Sequence, residues 1–149
     1  MSSKPNSSIR ELVIQAQKSG DYSPVLAVIP YAQTIGMQIE RFGDDVLFRL
    51  PPKASNIGNP ILPAIHGGVI GGFMELSASL YLLMHQETPR MPKIVDFSID
   101  YLRAGLDRET FVECDLTRQG NRVANVIINA WQQSRTKSIA TARAHFLFD

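Results

Sequence analysis

The sequence predicts an α+β domain in which one antiparallel sheet of five to six strands wraps a single long central helix. Three observations carry that expectation. Residues 66–86, HGGVIGGFMELSASLYLLMHQ, are apolar on almost every side and would form a helix of roughly 30 Å at 1.5 Å per residue. The last third of the chain alternates apolar and polar residues with the period of a strand. The links between those later strands are short, which implies antiparallel pairing.

In chain order, residues 1–7 read as a loose polar tail and 8–33 as a helical extension. Ser8 and Glu11 have the capping-box spacing, in which each side chain satisfies a free N–H at a helix start. Ile9, Leu12, Val13 and Ala16 then share a helical face, and Gly20 is the expected stop. A short second helix is expected from about Val25 until Pro30 interrupts it. MQIERFGDDVLFRL reads as two strands around a turn at Phe42–Asp45, with Gly43 supplying the permissive backbone. PPKASNIGNPILP holds four prolines and reads as a loop with no regular element.

After the long helix, Val95, Phe97, Ile99 and Tyr101 alternate with Asp96, Ser98 and Asp100, the period of a strand. Residues 109–134 read as a hairpin turned at Gly120-Asn121. The final strand puts Ser138, Ala140, Ala142 and Ala144 on one face. A helix as apolar all round as 66–86 is buried on more than one side. One sheet covers only part of it, so a second subunit is expected to cover the rest. Gly71 and Gly72 would let another backbone approach closely.

Composition bounds the function. The chain has 149 residues, 44% of them hydrophobic and 19% charged, the profile of one globular domain. A net charge of +1 lacks the strongly basic face of a nucleic-acid binder. Cys114 is the sole cysteine, which excludes an intramolecular disulfide. MSSKPNSSIR lacks the apolar core of a signal peptide. Val69–Met84 reads as too short to span a membrane and carries Glu75, Ser77 and Ser79. The expected compartment is the cytoplasm, with no membrane partner.

Chemistry concentrates around the long helix. The first N–H groups of a helix lack internal partners and carry partial positive charge. With no side chains at Gly67 and Gly68, a substrate oxygen could approach those groups as in an oxyanion hole. The alternative is a helix start with glycines for packing. Glu75 follows His66 by nine residues, inside the apolar run, where a carboxylate is costly unless paired, hydrogen-bonded or protonated. It is either a general base or nucleophile, or a structural carboxylate bonded to backbone or to Ser79 one turn on. His85 and His145 show no ligand spacing, so no metal and no cofactor are expected.

HGGVIGGFMELSASL, with six residues between HGG and its acidic residue, resembles the PaaI/4-hydroxybenzoyl-CoA type of hot-dog-fold thioesterase. VDFSIDYLRAG is similar to the strand after the central helix there, and RVANVIINAWQQSRTKSIATARAHFLF to the closing strands. The likeness covers roughly residues 34–148. It implies an acyl-CoA thioesterase with Glu75 as nucleophile or as base for water. It assigns the Gly67 N–H to the thioester carbonyl, with Gly68 beside it, and gives His66 a loop-shaping or assisting role. Ser79 matches a position that helps orient water. The family often carries Asn six residues before the histidine. Pro60 stands there in this chain, and Asn59, one residue earlier, is the candidate replacement.

The resemblance also implies a homo-oligomer, a dimer or a dimer of dimers, with the active site between subunits and Glu75 facing the partner's Gly67. Coenzyme A phosphates would need cations, for which Arg103, Arg108, Arg122, Arg135 and Lys137 are candidates by type, Arg103 and Arg122 first. Two other readings stay open. One is a non-catalytic acyl-CoA-binding module, which the Pro60 departure favours. The other is a hydroxyacyl-thioester dehydratase, which GNPILP favours and the absence of histidine from residues 51–59 opposes.

Overall fold

The computed structural model describes residues 5–148, with side chains from residue 9 onward. Three helices come first: α1 (Pro5–Ser19), α2 (Ser23–Ala27) and α3 (Pro30–Ile35). Helix α1 starts ahead of Ser8, so Ser8 lies inside the helix rather than at its cap, and its side chain falls outside the described residues. Residues 5–7 accordingly belong to α1 and not to a tail. Pro30 does not only end a helix. It occupies the first turn of α3, where its missing N–H costs nothing and its fixed φ suits the helix. Gly36, at φ 79°, closes α3 in the left-handed conformation that glycine adopts freely.

Strands β1 (Gln38–Phe42) and β2 (Asp45–Leu50) form the expected hairpin. The proline-rich segment is more ordered than its composition implies. A 3₁₀ turn at Ala54–Asn56 precedes β3 (Ile57–Asn59) and β4 (Ala64–Ile65), which pair as a small separate ribbon. Then come α4 (Gly67–Met84) and strands β5 (Pro92–Tyr101), β6 (Thr110–Gln119), β7 (Val123–Trp131) and β8 (Ser138–Phe148). The main sheet is six-stranded and antiparallel in the order β1-β2-β6-β7-β8-β5. This is the hot dog architecture, with α4 as the filling.

The inner sheet face meets α4 through small residues at its centre. Ala124, Ala130, Ala140, Ala142 and Ala144 are buried, and their short side chains let the 18-residue helix sit close to the sheet. Phe48, Phe73, Met74, Leu80 and Phe146 fill the space around it. By length and composition alone α4 could cross a membrane; here the sheet wraps it and uses it as core.

One inward register differs from the alternation. A bulge between Ile94 and Asp96 inserts an extra residue in β5, which inverts the pattern on its upstream side. Ile94 takes the half-buried place and Val95 turns outward, while Phe97 and Ile99 stay against the core.

Candidate active site

The start of α4 is built by contacts from four segments. His66 is the N-cap, and its Nδ1 accepts the Gly68 N–H at 2.9 Å. An accepting Nδ1 puts the proton of the neutral ring on Nε2. The His66 carbonyl accepts the N–H groups of Val69 and Ile70 at 2.9 and 3.2 Å. Among the described residues, that leaves the Gly67 N–H as the unspent donor of the first turn. Side-chain-free positions here are a steric demand: a methyl at Gly68 would lie 2.9 Å from His66 Nδ1.

Three residues fix this helix start in space. The Tyr101 hydroxyl, at the end of β5, donates to the Gly67 carbonyl at 2.6 Å. The Asn56 carbonyl accepts the His66 N–H at 2.9 Å. Gly58 lets the ribbon pass His66, since a methyl there would come within 2.9 Å of the His66 Cα. Asn56 is itself buried, and its side-chain amide donates to the Ile35 carbonyl at 2.8 Å. One residue thus ties the end of α3 to the start of α4.

Glu75 is half-buried on α4. At about 100° per residue, Gly68, Gly72, Glu75 and Ser79 fall within an arc of roughly 60°. This strip is the part of α4 that the sheet leaves uncovered, while Phe73, Met74 and Ala78 face inward and are fully buried. Among the described residues no hydrogen bond or ion pair reaches the Glu75 carboxylate. The structural bond to Ser79 considered from the sequence is not formed; the serine that bonds within the helix is Ser77, whose hydroxyl donates to the Phe73 carbonyl at 2.7 Å.

Over the strip lies Tyr31 of α3. A methyl at Gly72 would sit 2.5 Å from its hydroxyl oxygen. Partial burial pushes the Tyr31 phenol above its ordinary pKa, and the negative charge of Glu75 adds to that direction.

Other expected site residues are placed differently. Asn59 is exposed, and its side-chain oxygen accepts the Ile61 and Leu62 N–H groups at 3.0 and 3.4 Å. It caps its own turn, the frequent use of Asn in loops. The basic candidates divide. Arg103, Arg108 and Lys137 line one shallow groove at the Tyr101 end of the sheet. Arg122 lies with Arg118 at the β6–β7 turn, at the opposite end of β7 from Ala130, which shares a row with Tyr101 through Ala140. Seven residues of strand separate those ends, about 23 Å. Arg122 therefore does not join Arg103 within one subunit. Arg135 is engaged elsewhere, 3.4 Å from Glu113 and over the Trp131 ring. Among the described residues no three of His, Cys, Asp and Glu are grouped for a metal ion.

Sequence reasoning missed Tyr31 and Asn56 as site residues, and it read Tyr101 only as an alternating strand position. Pro30 as a helix-starting residue was the available signal for Tyr31. The other two act through tertiary contacts that leave no local pattern.

Known proteins resemble the chain in sequence and fold. The family model of the thioesterase superfamily matches residues 62–139, from the loop before α4 into β8. The medium/long-chain acyl-CoA thioesterase YigI of Escherichia coli is 26% identical over 136 residues, covering 80% of this chain and 85% of that protein. A crystal structure of a Chromobacterium violaceum protein is 40% identical, with a TM-score of 0.76 over 93% of this chain and 97% of that one. A Bacillus halodurans protein solved with CoA shares the fold at 14% identity and a TM-score of 0.72, over 100% of this chain and 96% of that one. With more than half of its length matched by the family model, the chain belongs to the thioesterase superfamily and is a thioester hydrolase.

Proposed function

We propose that the protein hydrolyses acyl-CoA thioesters, with the Glu75 carboxylate driving the attack and the Gly67 N–H stabilising the oxyanion. The observation that carries this reading is a half-buried Glu75 with no structural partner among the described residues, on the helix whose start holds an unspent N–H. A carboxylate kept there for stability would be paired. The acyl-CoA thioesterase YigI and the CoA-bound fold neighbour support CoA as the thiol half. Arg103, Arg108 and Lys137, gathered in one groove, are the cations suited to its phosphates.

The chemistry follows from the two groups. Glu75 draws a proton from water as the water oxygen adds to the carbonyl carbon, or adds to that carbon itself and is released by water. Either way the carbonyl oxygen becomes an oxyanion at the Gly67 N–H and the carbon–sulfur bond breaks. The thiolate takes a proton, so one thioester and one water give one carboxylic acid and one thiol. Gly67 and Glu75 of one helix are eight residues, about 12 Å, apart along its axis, too far to act on one carbonyl, where reacting atoms approach to about 3–3.5 Å. Pairing of two subunits about a twofold axis, with their α4 strips antiparallel, sets Glu75 of one against Gly67 of the other. The exposed Ile61, Leu62, Val95 and Leu102 supply apolar surface for that pairing.

The test is hydrolysis of an acyl-CoA panel by wild type and Glu75→Ala, with thiol release as the readout. Loss of a positioned base or nucleophile costs about 10²–10⁴-fold. A variant that keeps near-normal turnover would remove Glu75 from the mechanism.

A further inference from the structure

Residues 5–36 precede the sheet and lie outside the segment matched by the family model, yet α3 reaches the centre of the site. Its Tyr31 ring occupies the space above Gly72, one turn before Glu75 on the same strip of α4. The contact is close on both sides: methyl positions at Gly72 would lie 2.5 Å from the hydroxyl oxygen and 2.6 Å from ring carbon Cε1. Glycine at 72 is what lets the ring lie there.

The position of Tyr31 is set by the rest of α3, which is tied down at several points. The buried Asn56 amide holds the Ile35 carbonyl at 2.8 Å, and Lys53 Nζ holds the Thr34 carbonyl at 2.6 Å. Gln33 Nε2 bonds back to the Leu26 carbonyl at 3.0 Å, fixing α3 against α2. Ala32 and Ile35 are buried on the inner side of the same short helix. Tyr31, 40% exposed, is the large side chain α3 leaves facing the strip and solvent. A ring held this way acts as a fixed wall rather than as a lid.

On the thioesterase reading above, an acyl carbonyl attacked at Glu75 has two directions for its chain along the Gly68–Ser79 strip. The direction toward Gly72 ends at the Tyr31 ring. We propose that Tyr31 is a specificity-determining residue, a wall contributed by the N-terminal helices that limits how far an acyl chain extends from Glu75 toward the start of α4. The ring does this by bulk, and the hydroxyl is dispensable. Glu75 remains the reacting group, and Tyr31 decides which acyl groups reach it well.

The test is kcat/KM across saturated acyl-CoAs of increasing length plus phenylacetyl-CoA, for wild type, Tyr31→Phe, Tyr31→Ala and Tyr31→Leu. Tyr31→Phe keeps the wall and should keep the wild-type ratio of long to short substrates. Tyr31→Ala should raise that ratio by about fourfold for each further methylene buried, the equivalent of ~0.8 kcal/mol per CH₂. Tyr31→Leu, which keeps apolar cover on α4 while shortening the side chain, should move the ratio the same way by less, and serves if the alanine variant does not fold. Gly72→Ala drives a methyl into the ring and should lose activity, and the loss should be relieved in Gly72→Ala/Tyr31→Ala. An unchanged ratio in both the alanine and leucine variants, with wild type active, overturns the wall and leaves the thioesterase reading intact. A shift in Tyr31→Phe as large as in Tyr31→Ala overturns the wall by assigning the effect to the hydroxyl. A wild-type protein that hydrolyses no member of the panel overturns the thioesterase reading and the wall with it.

Discussion

The Tyr101 hydroxyl donates a 2.6 Å hydrogen bond to the Gly67 carbonyl, joining the end of β5 to the first peptide of α4. The bond fixes the orientation of the peptide group next to the proposed oxyanion donor, and a methyl at Gly67 would lie 3.4 Å from the Tyr101 ring. Oxyanion stabilisation depends on donors held in place before the charge develops. Tyr101→Phe keeps the ring and removes the bond. The expected outcome is a fall in kcat of about three- to tenfold from ~1 kcal/mol of lost hydrogen bonding, with KM little changed. Steady-state kinetics on one good acyl-CoA checks it, and a rise in KM alone would assign Tyr101 to binding instead.

Asn56 is the stability counterpart. Its buried amide satisfies the Ile35 carbonyl, and its own carbonyl satisfies the His66 N–H. In Asn56→Ala the backbone bond survives and the Ile35 carbonyl loses its partner. An unsatisfied buried group costs about 1–3 kcal/mol, which in a domain of this size lowers Tm by about 2–4 °C for each kcal/mol. A thermal melt reads it directly. Because α3 loses an anchor, the acyl-length profile should also blur in this variant while Glu75 chemistry persists.

Much of this architecture could be read from residue pattern, and the failures share a cause. Helix α4 is one long apolar run and strands β6–β8 are long with alternating burial, so local sequence decides them. Period 2 alone carries no sign of the bulge between Ile94 and Asp96, which turns Val95 outward. Pro30 reads in sequence as a helix end, whereas in the fold it is the first-turn residue of α3. Glu75, Gly67 and His66 stand out in the sequence as candidates because of their apolar or glycine-led setting. Tyr31 and Asn56 do not, since the side chain of each meets its partner more than twenty residues away. The split of Arg103 from Arg122 is likewise a property of sheet register, which no local window contains.

The groove cations carry an ionic prediction. Arg103, Arg108 and Lys137 are exposed, so each proposed contact with a phosphate would be solvent-screened and worth about 0.2–1 kcal/mol. Arg103→Gln or Lys137→Gln should raise KM for acyl-CoA by up to about fivefold with kcat unchanged. Wild-type KM should climb with salt as screening shortens the Debye length to about 8 Å at 0.15 M, and less steeply in the double variant. Arg122→Gln, at the far end of the sheet, is the comparison: a KM effect as large as that of Arg103→Gln would show that the phosphates bind elsewhere.

Cys114 gives a prediction independent of the active site. Burial, with the charge of Glu113 adding to it, pushes its thiol far above the ordinary cysteine range. The thiolate is the reactive form, so the folded protein should resist thiol-specific alkylation at pH 8 and react fully once unfolded in guanidinium. Rapid labelling of the native protein would show that this half-buried thiol ionises in the folded state.

The shared site can be tested by mixing two inactive proteins. Gly67→Pro deletes the proposed oxyanion N–H with little strain: position 67 opens the helix, where proline is favoured. The preceding His66 already has φ −58° and ψ 130°, the extended conformation that a following proline demands. Glu75→Ala deletes the carboxylate. If each site takes Glu75 from one subunit and Gly67 from the other, a mixed dimer holds one doubly defective site and one intact site. Random reassociation makes about half of the dimers mixed, so activity should return to about one quarter of wild type. A site confined to one subunit predicts no recovery at any mixing ratio, because every subunit then carries a defect. Unfolding and refolding the mixture, with size-exclusion chromatography to verify assembly, makes the two outcomes distinct.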